Sequence, residues 1–127
     1  MTDSAKKKIA EAFIAALHAR NKSALEAIMV DDVVWSLPGS STMSGEARGV
    51  DAILQRSEIL RGYGVKIEVE HVVYGFRDVA LHLHNTGKQD GKVLDEYLTT
   101  VCHLDGDKIR RLDTFISDVE MLNAFFV

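Results

Sequence analysis

The chain of 127 residues contains a single cysteine, Cys102, so no disulfide can close within it and no cysteine-rich zinc site can be assembled. A lone thiol suits a reducing compartment, and a cytoplasmic location is the expectation. Positive charge is also in short supply: 15 Lys and Arg stand against 19 Asp and Glu, for a net charge of -4. That sign argues against nucleic acid or an anionic membrane surface as a partner. Long apolar runs are missing too. The longest, Ile9 to Leu17, is interrupted by Glu11 and falls far short of a bilayer. The N-terminus has no apolar run beside a small-residue cleavage site, so a soluble, unprocessed protein is expected. Repeats, linkers and low-complexity tracts are not found. What remains, 46% hydrophobic and 27% charged residues, is the composition of a globular chain, and the length fits one domain over 1–127.

Apolar residues at Ile9, Ala12, Phe13, Ala16 and Leu17 recur at spacings of three and four and predict an amphipathic helix over 5–19. Ser23 is placed to cap a second short helix running to Met29, after which Asp31-Asp32 precede a strand at Val33-Val34-Trp35. Residues 38–45 read as a Ser-rich loop, and Gly49 precedes a third helix from Val50 to Leu60. Strands follow over 65–74, 79–84, 93–104 and 108–116, with turn signals at Gly75, Asn85 to Gly91, and Asp105-Gly106-Asp107. Ser117 and Glu120 have capping-box spacing before a short amphipathic helix. Helices followed by antiparallel hairpins give an α+β fold, with helices on one face of a curved, mostly antiparallel sheet.

This order resembles the SnoaL-like and nuclear transport factor-like superfamily, in which a bent sheet and helices form a cone-shaped barrel around a pocket. The resemblance is carried by Asp31-Asp32-Val33-Val34-Trp35-Ser36-Leu37-Pro38-Gly39, by Ser44-Gly45 and Gly49-Val50-Asp51-Ala52-Ile53, and by Lys108-Ile109 through Phe115-Ile116-Ser117-Asp118-Val119. It implies a fold and not a reaction, because the superfamily hosts isomerases, cyclases, hydrolases and binding domains. Ketosteroid isomerases, a worked case of carboxyl pKa tuning, use an aspartate base with a tyrosine and a protonated aspartic acid as oxyanion donors. Alignment to them puts the tyrosine position on Phe13, the base on Leu37 and the acid donor on Thr100. Phe cannot donate a hydrogen bond and Leu cannot take a proton, so that apparatus is missing.

Strand alternation gives the pocket wall, on the premise that the more apolar face turns inward. The inward set is Val65, Ile67, Val69, His71 and Val73; Val79, Leu81 and Leu83; Leu94, Glu96, Leu98, Thr100, Cys102 and Leu104; and Leu112, Thr114 and Ile116. Phe13, Leu17, Trp35 and Leu37 complete the expected lining for a ligand. Glu96 and His71 are the ionisable groups among these walls, and as an acid/base pair they are the catalytic candidates, since an apolar setting raises a carboxyl pKa and lowers that of an imidazole. The alternative places Glu96 in water at the mouth and His71 on a backbone partner or displaced by a bulge. Thr100 and Thr114 either orient a ligand oxygen or serve as strand formers.

No metal site is expected. His82 and His84 share a strand face, but His82 falls opposite about Asp95 if residues 85–92 close the hairpin, leaving His103 on the order of 25 Å away. Asp113 faces outward unless a bulge turns it in. The Ser-rich loop has neither a nucleophile-elbow nor a phosphate-loop pattern. Arg48 and Arg56 are expected at the rim, with side chains in water. The expected function is binding of a neutral, apolar, oxygenated small molecule, with cofactor-free isomerase, cyclase or hydrolase chemistry; the alternative is a non-catalytic binding or dimerisation domain. A homodimer through the outer sheet face, where Tyr97, Val101 and Phe115 fall, is also expected.

Overall fold

The computed structural model describes residues 1–127. Helix α1 (Asp3–Ala19) begins at Thr2, whose hydroxyl accepts from the Ala5 amide at 3.1 Å, and ends at Arg20 in the left-handed region. Helix α2 (Lys22–Ile28) is capped by Asn21, not Ser23: Asn21 holds the extended backbone a cap needs and accepts from Ala24, while Ser23 lies inside the first turn and donates to Asn21 Oδ1. Six strands follow in one sheet: β1 (Met29–Leu37), β2 (Gly45–Arg48), β3 (Lys66–Tyr74), β4 (Val79–Gln89), β5 (Lys92–Asp105) and β6 (Lys108–Ile116). Their spatial order is β2-β1-β6-β5-β4-β3, with β1 and β6 parallel and every other pair antiparallel. Helix α3 (Val50–Gly62) connects β2 to β3, and α4 (Val119–Phe125) closes the chain. Asp118 caps α4, accepting from Met121 at 3.0 Å; Ser117, the expected cap, instead accepts from the Tyr97 amide across the sheet. No helix is long and apolar enough to cross a membrane.

Strand β2 went unread because Gly-Glu-Ala-Arg lacks strand formers. Two features of the hairpins decide where side chains point. Strand β4 does not end at His84, because the turn is the two-residue Asp90-Gly91, both at positive φ (51° and 77°), and Gln89 pairs with Lys92. Asn85 and Gly87, which look like turn residues, are therefore strand residues. Gly87 leaves α4 close to the sheet: a Cβ there would lie 3.2 Å from Phe125 Cζ, a tight contact that the ring would have to yield to. The second feature is a register shift between Val69 and His71 in β3. It inverts the alternation, so that Ile67 and Val72 are half-buried while His71 is exposed.

Two apolar clusters fill the interior. The larger joins α1, α2, α3 and the sheet around fully buried Leu25, Val33, Ile53, Leu81, Cys102, Ile109 and Leu112; the smaller gathers Leu37, Met43, Leu94, Leu122, Phe125 and Phe126. The loop after β1 and the C-terminal segment hold each other closed. Ser40 N–H donates to Asn123 Oδ1 at 2.8 Å, and the Thr42 amide donates to the Phe126 carbonyl at 3.1 Å.

Candidate functional site

A cavity lies where the two clusters meet. It encloses about 40 Å³ open to the centres of water molecules, room for about three waters or one small ring. Phe13, Ile14 and Leu17 of α1 and Leu60 of α3 form its helical side; Trp35 and Leu37 of β1, Ile67 of β3, Leu83 and Asn85 of β4, and Leu94, Glu96, Leu98 and Thr100 of β5 form its sheet side. Thr114 and Ile116 of β6 complete the sheet, and Met43, Leu122 and Phe126 close the remaining end. Phe13, Leu37 and Thr100, the positions expected to match the three isomerase groups, all line this space.

Of the expected inward set, Val65, Val69, Val73, Val79 and Leu104 do not line the cavity, and of the expected ligand contacts Leu81, Cys102 and Leu112 do not reach it. The last three lie among the fully buried residues of the larger cluster, where the narrowing cone leaves no space. Burial, with a contribution from Asp78, pushes the Cys102 thiol up to about 12, which fits a core residue and not a nucleophile. His71 is corrected more sharply. The bulge in β3 puts it on the outer face, opposite His82 with ring centroids 6.3 Å apart, so it cannot partner Glu96.

Glu96 is 1% exposed. Its Oε2 accepts from the Asp118 amide at 3.3 Å, while Oε1 is buried without a hydrogen-bond partner. Burial is the main reason its pKa rises from 4.5 to about 7, against the lowering effect of the Asp118 amide. Directly opposite it in the β4–β5 ladder is Asn85, whose Oδ1 is the other buried side-chain atom lacking a partner. Two unsatisfied acceptors on opposed residues that line an apolar cavity are unusual in a folded core, where such atoms are nearly always paired. Sequence reasoning missed Asn85 because an Asn two residues from a Gly reads as a turn; the signal that finds it is the Asp90-Gly91 turn, which fixes the register of β4.

The polar groups deeper in the cavity are already committed to each other. Trp35 Nε1–H donates to Thr114 Oγ1 at 2.8 Å, and the Thr114 and Thr100 hydroxyls are 2.9 Å apart. Trp35 also meets Phe13 edge to face, with centroids 5.8 Å apart. Arg56 is not at the rim. It is buried beneath β1 and β2, donating to the carbonyls of Trp35 (2.8 Å) and Gly45 (3.1 Å), with Cζ 5.0 Å from the Trp35 ring centroid. Burial lowers it to about 10, so it stays charged at neutral pH. It holds Trp35 from behind, and no Lys or Arg lines the cavity itself.

The outer sheet face has its own polar chain. His103 contacts Asp78 through Nδ1 (3.0 Å) and Asp113 through Nε2 (2.9 Å), and Asp113 also accepts from Ser36 and Arg111. Burial opposes ionisation of Asp113, yet hydrogen bonds from Ser36 and His103 and the charge of Arg111 hold its carboxyl below the usual range. Asp113 thus stays on the outer face. Asp95 pairs with His84 at 2.6 Å, not with His82, as the tighter hairpin turn requires. No group of three or more His, Cys, Asp or Glu is placed to hold a metal ion.

Comparison with known proteins agrees with this architecture. Bal32a, from a soil-derived mobile gene cassette, superposes with a TM-score of 0.85 at 22% identity, covering 97% of this chain and 99% of its own. An NTF2-like protein from Burkholderia xenovorans LB400 gives 0.86 at 20% identity over 100% and 99% of the two chains. A candidate SnoaL-like polyketide cyclase from Jannaschia sp. CCS1 gives 0.74 at 13% identity over 100% and 97%. At these identities the likeness establishes the fold alone. No curated protein matches the sequence. The model of the SnoaL-like domain matches residues 10–112, most of the chain, and by that match the protein belongs to the SnoaL-like family.

Proposed function

We propose that the cavity binds a neutral, apolar, oxygenated small molecule, and that Glu96 acts on it as a general acid/base without a cofactor. The observation that carries this reading is the pair of unsatisfied acceptors, Glu96 Oε1 and Asn85 Oδ1, on opposed residues in an otherwise apolar wall. A carboxyl group with its pKa at about 7 exchanges a proton readily near neutral pH, in either direction. Protonated, it donates to a carbonyl, lactone or epoxide oxygen; ionised, it accepts from a hydroxyl or an acidic C–H. Asn85 orients the same group through its amide. The absence of a lining cation disfavours any carboxylate or phosphate inside the cavity, where its desolvation would go uncompensated. The family match and the SnoaL-like cyclase fold support small-molecule chemistry of the isomerase, cyclase or hydrolase kind.

Thermal-shift screening of small ring ketones, lactones and epoxides against matched small carboxylic acids tests the binding reading. Neutral compounds are expected to stabilise the protein, and stabilisation confined to the acids would overturn it. Turnover of a compound so found is expected to fall about a hundredfold or more in Glu96→Gln. Binding with no turnover, or turnover that Glu96→Gln leaves unchanged, would favour a plain binding domain, consistent with the unreactive Phe13, Leu37 and Thr100.

We further propose a homodimer through the outer sheet face. Phe115 is 62% and Tyr97 54% exposed there, and the Tyr97 ring stacks on His84 at 4.4 Å, which extends the flat surface. Light scattering at micromolar concentration is expected to give the dimer mass, and Phe115→Glu the monomer mass. A monomeric parent protein would refute this.

A further inference from the structure

A second hollow adjoins the cavity between the C-terminal turns of α1 and α3 and the start of β3. It offers about 390 Å³ open to the centres of water molecules. Leu17, Leu60 and Ile67 line both spaces, so the partition between them is one side chain thick. The chemistry of the two spaces differs. The inner one has no Lys or Arg; the outer one is lined by His18, Arg20 and Arg61 and by no acid. Arg20 is engaged by Glu58, and the Ser57 hydroxyl donates to the Leu17 carbonyl at 3.0 Å. Arg61 is exposed and is not among the arginines that form ion pairs.

We infer that the two spaces hold one ligand between them: a compound with a neutral hydroxyl or carbonyl head at Glu96 and Asn85, an apolar body passing Leu17, Leu60 and Ile67, and a carboxylate left outside against Arg61 and His18. This rests on the reading that the inner cavity binds a neutral group, and it refines the ligand from a neutral compound to one whose charge stays in the hollow. The position of these basic side chains sharpens the expectation. His18 and Arg61 lie in the last turns of α1 and α3, whose carbonyl ends carry partial negative charge. An anion is welcome there only while those side chains outweigh the helix ends. Leu60 and Ile67 are the half-buried members of the partition, whereas Leu17 is buried.

The test is calorimetric titration with ω-hydroxy carboxylic acids, from hydroxybutanoic to hydroxydodecanoic acid, and with their methyl esters. Short acids are expected to bind worse than their esters, because their carboxylate is drawn inside. Beyond the length that spans the partition, the acids are expected to bind about threefold to fivefold tighter, an advantage that shrinks with added salt. Arg61→Gln, an exposed substitution, is expected to erase that advantage by weakening the long acids far more than their esters. Glu96→Gln is expected to shift acid and ester together and so preserve their ratio. Esters that bind while acids of every length gain nothing, or a preference that survives Arg61→Gln, would overturn the inference alone. Failure of every acid and ester to bind would also overturn the inference, and would overturn the proposed function with it only if the neutral ring compounds fail to bind as well.

Discussion

Raising the pH from about 5 to about 9 is expected to lower the stability of the protein by about 3 kcal/mol, and Glu96→Gln is expected to remove most of that loss. In the folded chain Glu96 holds its proton until about pH 7, whereas its ordinary value is 4.5. Between those values the unfolded chain has shed a proton that the folded chain keeps, so stability falls as pH rises. The contribution of the neutral carboxyl is complete below 4.5 and is lost on passing about 7. Asp78 and Asp113 act in the opposite sense and in a different window. Both are held below the ordinary value of 3.8 despite burial, Asp78 chiefly by the Leu104 amide and His103, so their contribution is lost only in strong acid. Urea unfolding carried from strong acid to about pH 9, for the parent chain and Glu96→Gln, separates the two limbs. For a domain of this size the alkaline loss corresponds to a melting point lower by about 10 °C. Parallel profiles for the two proteins would mean that Glu96 ionises as it would in water.

Arg56→Ala is expected to be the most damaging substitution on the helix side, at about 4 kcal/mol. The side chain is 6% exposed and satisfies two strand carbonyls, those of Trp35 and Gly45. Truncation leaves both carbonyls buried without donors, opens space under the Trp35 ring, and releases the join between β1 and β2. Arg56→Lys keeps the charge but lacks the planar fork whose two nitrogens serve the two carbonyls, so about half of the loss is expected to remain. Because Trp35 donates to Thr114 inside the cavity, ligand affinity should fall with stability in both variants. Chemical denaturation within about 0.5 kcal/mol of the parent chain would show that Arg56 is merely tolerated where it lies.

The two substitutions mark the boundary between what could be read from the sequence and what could not. Helix α1 follows from apolar spacing, α3 and most of the sheet from residue character and the turn signals between them, and the alternation along β5 places Leu94, Glu96, Leu98 and Thr100 on the cavity side. Alternation is reliable there because the strand runs without interruption as far as His103. In β3 one extra residue between Val69 and His71 reverses it, and nothing in Lys-Ile-Glu-Val-Glu-His announces the bulge. Asn85 was hidden by composition, since the Gly that marks it as a turn is in fact the site where Phe125 packs. Arg56 was hidden because burial of a long cation depends on which carbonyls lie within reach, a property of β1 and β2 and not of α3. The reaction is further from reach still: the SnoaL-like fold supplies the cone, and the chemistry depends on a few side chains that vary within it.

The protonation of Glu96 is directly observable. A pH titration of its side-chain carboxyl carbon by NMR, assigned by comparison with Glu96→Gln, is expected to show a midpoint at about 7. A midpoint near 4.5 would place the carboxylate in water and remove the basis for assigning it an acid/base role.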